Sequence, residues 1–507
     1  MASRTQKSEK DLRWGAIYQV VYILVMFITR VVILKYLGLI SLSINNLFTQ
    51  VISLLSITEA GLSQCVTYRM YKPLAEGDEK KLSEIATFYH RAYQILAVVM
   101  FLIGLCLMPF LPKLVTKIEV DWTYLYFVYL VFLANTCAGY LFSSRISILW
   151  ADQKTFIQAK YNIFFRLAFF LADLVCICIF KNYTAYIIVE LLYVIFFFGF
   201  MHWKVGELYP SVKEKRDLPK EEQKSLFQDV RRMFVGKISG KVLNSTDNVL
   251  ISTLVGTNFV GVYGQYSMFQ NGFLSLFAQI NQAVVGSIGN TLVTESKEYS
   301  RHIFDVLTYF FFVTGAFCAC CLFVGVNPFL KSIIGKEYLL TTDVVYIISI
   351  VLFFEILKMP LFTFFSSAGM FKEEQYISLL SCVINLVVSI VLGLRIGIAG
   401  IFIGTIISLV IAVYLKAMEI GKKKFDSPFR VEKEMIGYLI LFIIELTLCH
   451  IATFKISFEI GILEFLVKCL IAGVISILIS TVPFVNTGSF IYWKNYFLRK
   501  LRSLWKN

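Results

Sequence analysis

Charged side chains are scarce in this chain. Asp, Glu, Lys and Arg make up 16% of its 507 residues, where a soluble domain carries about 25%, so there is too little charge to cover a water-exposed surface. The apolar set reaches 58%, with a mean hydropathy of +0.72. That balance excludes a soluble enzyme, a disordered chain, a collagen and a disulfide-rich secreted scaffold. Histidine is limited to four scattered residues, His90, His202, His302 and His450. The eleven cysteines lie mostly inside apolar runs, Cys176 and Cys178 among them. Cys318 and Cys321 stand at Cys-x-x-Cys spacing, but no second pair accompanies them; the thiols read as small hydrophobes, and no metal or haem site is expected. The sequence also lacks a Gly-x-x-x-x-Gly-Lys-Ser/Thr loop, so ATP hydrolysis by the chain itself is not expected.

Apolar runs of about 20 residues are abundant, and that length crosses about 30 Å of hydrocarbon. Fourteen spans are predicted, at roughly residues 14–37, 42–66, 92–112, 122–142, 161–180, 184–203, 232–255, 261–290, 303–326, 342–366, 376–394, 398–418, 435–454 and 461–484. The fold class is an all-α integral membrane protein. The start is polar and basic (Arg4, Lys7, Lys10, Arg13), and the apolar stretch after it is too long for a signal-peptide core, so the first span is expected to be retained. The formal charge of +14 reads as topology rather than nucleic-acid binding: 34 of the 48 Lys and Arg fall on the side of the termini and eight on the other. By the positive-inside rule both termini are cytoplasmic.

Long polar loops at 207–228 and 422–434 divide the chain further. They predict a six-span lobe (1–205), a cytoplasmic linker (206–230), a second six-span lobe (231–420), two appended spans (421–487) and a tail (488–507). The tail alternates aromatic and basic residues from Tyr492 onward, as an amphipathic helix on an anionic leaflet does. Spans one and seven each stop at a glycine, Gly38 and Gly256, and the chain re-enters at once, which suggests an internal repeat. Gly400 and Gly404 have the spacing of close helix packing, within the chain or between copies.

Ionisable groups at the centre of a span cost roughly 2.5 kcal/mol or more, so their placement carries the functional signal. In span seven Lys237, Lys241, Asn244 and Asn248 fall within an arc of about 60°, with Asp247 at its edge. Asn45, Thr49, Ser53, Ser56 and Ser63 form a stripe on span two, and Gln19 and Arg30 share a face of span one. Spans one, two and seven are expected to line one wet cavity, with Asp247 and Glu59 as candidate coupling or gate carboxylates. Each has a plainer counterpart, since lysines snorkel to the membrane boundary and small hydroxyls bridge packed helices. Cationic groups in low dielectric call for an anionic ligand bearing phosphate or carboxylate. Tyr22 and Tyr266 are candidates to stack on sugar rings. Arg166 and Asp173 share a face of span five but stand about 10.5 Å apart, too far to pair directly. Glu355 and Lys358 have the spacing of a structural ion pair, while Glu445 and Lys468 lie on the appended spans.

Several segments together resemble a family: Gly15-Ala16-Ile17-Tyr18-Gln19, Thr29-Arg30, Lys35-Tyr36-Leu37-Gly38, Ile44-Asn45-Asn46-Leu47-Phe48, the run from Leu54 to Leu62 and Tyr71-Lys72-Pro73-Leu74-Ala75. They look like the bacterial polysaccharide-export flippases, the Wzx-type proteins of the multidrug/oligosaccharidyl-lipid/polysaccharide (MOP) superfamily. The resemblance implies two six-helix lobes around a cationic cavity, alternating access, and no enzymatic step. The implied substrate is an oligosaccharide on undecaprenyl pyrophosphate, of O-antigen, capsular or teichoic type. The implied setting is the bacterial cytoplasmic membrane, with a glycan polymerase and assembly proteins as partners. Arg30 matches the basic position in helix one of the related lipid II flippases, whereas Asn45 or Asn46 stands where that group often has an acid. Directionality is open between an H+ or Na+ gradient, with no other cofactor, and withdrawal of product. Two other readings stand beside this one. A MATE-like exporter of small organic cations calls for an acidic cavity; a membrane-bound lipid-linked glycan polymerase needs external catalytic loops, and the first external turn here is only residues 38–41.

Overall fold

The computed structural model describes residues 4–56, 62–152, 154–226, 228, 246–425 and 430–504, and every element among them is helical. Two compact units divide the chain, Met1–Gly261 and Val262–Asn507. The first contains α1 (Arg4–Leu55), α2 (Leu62–Glu76), α3 (Glu79–Leu107), α4 (Trp122–Ser143), α5 (Thr155–Leu174) and α6 (Tyr183–Leu208). Here α5 packs on α1, α6 on α4 and α5, and α3 on α4. The boundary falls inside α7 (Thr257–Thr294). The second unit then runs through α8 (Lys297–Ile334), α9 (Thr342–Ser367), α10 (Phe371–Ile396), α11 (Ile398–Lys424), α12 (Arg430–Thr453), α13 (Gly461–Thr481) and α14 (Gly488–Leu504).

Among the described residues eleven helical stretches are long and apolar enough to cross a membrane. They account for the fourteen expected spans as follows. The first two share the stretch Arg13–Leu55, most of the seventh lies outside the described residues, and the eighth is α7, which is helical but speckled with Gln265, Gln270, Asn271, Gln279 and Asn281. Short polar residues set where several helices begin. The Asp78, Asn182 and Ser296 side chains accept from the backbone N–H three residues on, and Asp121 from that two residues on, at the starts of α3, α6, α8 and α4. The outer surface carries large apolar side chains, such as Phe164, Leu171, Leu394 and Leu470, as a lipid-facing surface does.

α1 is two helices joined at Gly38 rather than one rod. Gly38 sits at φ 83°, ψ 172°, a region essentially closed to residues with a Cβ. In a straight helix residues sixteen apart are about 24 Å from each other, yet Arg30 and Asn46 are joined by a 3.0 Å hydrogen bond. The chain therefore folds back at Gly38, and the arm after it lies alongside the arm before it. Gly256, at φ 145°, ends a wide π-type turn (Ile251–Val255) ahead of α7. This break is latched by the loop after α3: Thr116 Oγ1 donates to the Ser252 carbonyl at 2.5 Å, the Thr116 N–H to Thr257 Oγ1 at 2.8 Å, and Lys117 Nζ to the Val255 carbonyl at 2.7 Å.

In the second unit α8 packs on α9 and α13, and α11 on α9 and α10. Gly400 and Gly404 let α11 approach α10, since a Cβ at either position meets the backbone of Leu392 or Ser389. Ser389 Oγ donates to the Ile401 carbonyl at 2.9 Å in that contact, so the small-residue spacing is used inside the chain. The Glu355–Lys358 ion pair forms at 2.6 Å. Glu445 and Lys468 do not meet: Glu445 accepts from Ser476 at 2.8 Å and Ser480 at 2.5 Å, while Lys468 pairs with Glu464 at 2.7 Å. Tyr266 is fully buried; its hydroxyl donates to Asn327 Oδ1 at 2.6 Å and accepts from the Leu340 N–H at 2.8 Å. That rules it out as a sugar platform in this arrangement. The tail forms α14, docked on α8 by Trp493, whose Nε1 donates to the Val306 carbonyl at 2.9 Å.

Candidate functional site

The first unit encloses a cavity of about 310 Å³. Tyr22, Thr29 and Arg30 reach it from the arm of α1 before Gly38, and Asn45, Asn46 and Thr49 from the arm after. Asn135 comes from α4, Arg166 from α5, and Tyr186, Glu190 and Tyr193 from α6. Helical spacing explains each set: 22, 26, 29, 30 and 33 follow one face, as do 42, 45, 46 and 49. The reversal at Gly38 turns these two faces toward one space.

Two guanidinium groups define the charge of the site. Arg30 Nη2 donates to Asn46 Oδ1 at 3.0 Å, and Asn46 Nδ2 donates in turn to the Val260 carbonyl at 3.5 Å. Arg166 Nη1 donates to both oxygens of Glu190, at 2.8 and 2.9 Å. The Arg166 guanidinium also lies 5.1 Å from the centre of the Tyr193 ring, and the Tyr193 hydroxyl donates to Asn162 Oδ1 at 2.7 Å. Asp173 is fully buried, close enough to act electrostatically on both Arg166 and Glu190. The lining thus carries two fixed positive charges against one carboxylate, with amides, a threonine and tyrosines around them. Such a surface offers donors to an anionic group and hydrogen-bonding partners to hydroxyls.

Of the residues singled out in the sequence, Arg30 and Asn45 line this cavity, together with Thr49 and Tyr22. Gln19 and Ser53 are half-buried on the two arms of α1 and are not among its lining. Thr49 Oγ1 and Ser56 Oγ donate to carbonyls of their own helix, at 2.7 and 3.0 Å. Asn248 is buried and Asp247 half-buried, neither of them in the lining. Lys237, Lys241, Asn244 and Glu59 lie outside the described residues. Arg166 finds its partner on α6, where Glu190 was not picked out from the sequence. The signal was present, because Glu190 is the one acid in residues 183–203. Asn135, the one amide side chain of α4, was missed as well.

This fold occurs in solved membrane proteins. The chain is similar to the lipid II flippase MurJ in an inward closed conformation, at 13% identity and a TM-score of 0.66, over 93% of this chain and 98% of that one. It is similar to a multidrug resistance MATE family transporter of the MOP superfamily in an inward-facing conformation (14% identity, TM-score 0.62, 80% and 95% covered). The MATE transporter VcmN of Vibrio cholerae in its bent form gives 14% identity and a TM-score of 0.55, over 86% and 100% of the two chains. Residues 233–391 match the MatE family model. A comparison with curated protein sequences gives no significant match. The architecture is that of a MATE/MurJ-like membrane protein.

Proposed function

We propose that the protein is a flippase that moves an undecaprenyl-pyrophosphate-linked oligosaccharide across the bacterial cytoplasmic membrane by alternating access. The observation that carries this reading is the excess of guanidinium over carboxylate in the cavity of the first unit, with Arg30 held by Asn46. Desolvated arginines favour phosphate and acidic sugars, and polar sugars passing hydrocarbon need hydrogen-bonding groups along their route. At about 310 Å³ the cavity is at the low end of ligand pockets, about 300–1,000 Å³. It suits the pyrophosphate or one sugar at a time, with the lipid tail left in the bilayer. The fold shared with a lipid II flippase supports the same substrate class. Lys237 and Lys241 are proposed to add to the cationic path, and Asp247 or Glu59 to couple transport to H+ or Na+.

The second reading, export of a small organic cation, draws support from the MatE match and from Glu190 in the cavity wall. Against it, Glu190 is already engaged by Arg166 on both oxygens. The deciding experiment is transport of a fluorescent lipid-pyrophosphate-linked oligosaccharide in proteoliposomes, with wild type, Arg30→Ala and Arg30→Lys. Transport by the wild type, its loss in Arg30→Ala and partial retention in Arg30→Lys, with all three folded, is the expected pattern. An inert wild type that instead extrudes an organic cation overturns the flippase assignment.

A further inference from the structure

A separate cavity of about 840 Å³ opens in the first unit where α3 meets the segment 217–226. One wall is a single face of α3. Phe88, Arg91, Ala92, Ile95 and Leu96 recur at the three- and four-residue steps that stack side chains on one side of a helix. Past the cavity the same face continues as Val99, Leu102 and Ile103, all exposed, a ready track for a hydrocarbon chain.

The facing wall is amphipathic. Leu218 and Leu226 are buried, while Lys220 and Lys224 stand exposed at the rim. The segment is held in place by its acids: Asp217 pairs with Arg91, and Glu222 with Lys81 at 2.7 Å. Just before it, the Glu214 carbonyl accepts from Ser83 Oγ at 2.5 Å. Asp217, the one acid in the lining, is thereby used, and among the described residues no carboxylate engages Lys220 or Lys224. The space therefore joins an apolar floor, open toward a lipid-facing stripe, to two ammonium groups at its mouth.

We propose that this cavity binds an anionic phospholipid. Its phosphodiester sits between Lys220 and Lys224, and one acyl chain lies on Ile95 and Leu96 and continues along Val99 and Leu102. A soluble phosphate compound would leave the apolar floor unfilled. A zwitterionic lipid brings its own cation to a rim that is already positive. The bound lipid pins the segment 217–226 to the membrane surface, just ahead of the seventh span. The site is distinct from the cavity that holds Arg30 and does not depend on which substrate that cavity takes.

The test is native mass spectrometry of the full-length detergent-purified protein, titrated with phosphatidylglycerol and, separately, with phosphatidylcholine. Wild type is expected to retain phosphatidylglycerol in preference. Lys220→Gln/Lys224→Gln should bind it on the order of tenfold more weakly, since each cation near an anionic headgroup contributes attraction. Lys213→Gln/Lys215→Gln removes two exposed charges outside the cavity and should leave binding unchanged. Ile95→Trp, which fills the floor, should lower affinity even with both lysines present. Equal loss in the two lysine pairs means diffuse attraction and overturns the site. So do equal retention of phosphatidylcholine by the wild type, indifference to all three variants, and preference for a polyprenyl monophosphate over phosphatidylglycerol.

Discussion

Arg166 and Glu190 show how little a single residue's position in the sequence says about its role. Each is a charge in an apolar run, and read singly each is a candidate ligand group. Together they form a two-point contact at 2.8 and 2.9 Å, with side chains only 14% and 20% exposed. Removing one member of a buried pair leaves the other charge uncompensated, at about 3–5 kcal/mol when burial is complete. Glu190→Leu alone is therefore expected to lower the thermal unfolding temperature in detergent clearly. Arg166→Met/Glu190→Leu should recover most of the loss. Equal destabilisation by the single and the double variant would show that the pair is not what holds α5 to α6. Arg30 lines the cavity, where it donates to the Asn46 amide oxygen at 3.0 Å, and its substitution is expected to be felt in transport more than in stability.

At the scale of elements the two glycine breaks do the most. Gly38 and Gly256 occupy backbone regions nearly closed to other residues, and each permits an abrupt change of direction without a long loop. They differ in surroundings: a Cβ on Gly38 meets nothing within 4 Å, whereas one on Gly256 meets the Lys117 side chain at 3.2 Å. Gly38→Ala is expected to cost about 1–3 kcal/mol from the backbone alone, and Gly256→Ala at least as much. Thermal melts of the two variants in detergent check this; an unchanged melt for Gly38→Ala would mean that the break is not strained. Loss of the reversal at Gly38 also separates Arg30 from Asn46, so Gly38→Ala is expected to impair transport beyond its effect on folded yield.

For the whole molecule, the distribution of Lys and Arg predicts that both termini and the 207–228 loop face the cytoplasm. Single cysteines placed at Ser8, Lys213 and Ser503 in a cysteine-free background are expected to resist a membrane-impermeant maleimide in intact cells and to react in inverted vesicles. Labelling of any of them from outside overturns the orientation. The division at Gly261/Val262 puts the π-type turn Ile251–Val255 and the Gly256 break in the same unit as α1. The six, six and two grouping of the spans remains a proposal about how the chain is organised.

The sequence by itself determined the membrane class, the helical runs, the positions of Gly38 and Gly256 and the place of Arg30 on a polar face. These follow from local physics: hydropathy over about 20 residues, the cost of charge in hydrocarbon and the freedom of glycine. What only the tertiary structure decided is which polar groups share a space. Helical periodicity assigns a residue to a face but not that face to a neighbour. Arg166 could thus be seen to miss Asp173, yet not to reach Glu190 on the next helix. Tyr22 and Tyr266 looked alike in sequence, and packing opened one onto the cavity while it buried the other against Asn327 and Leu340.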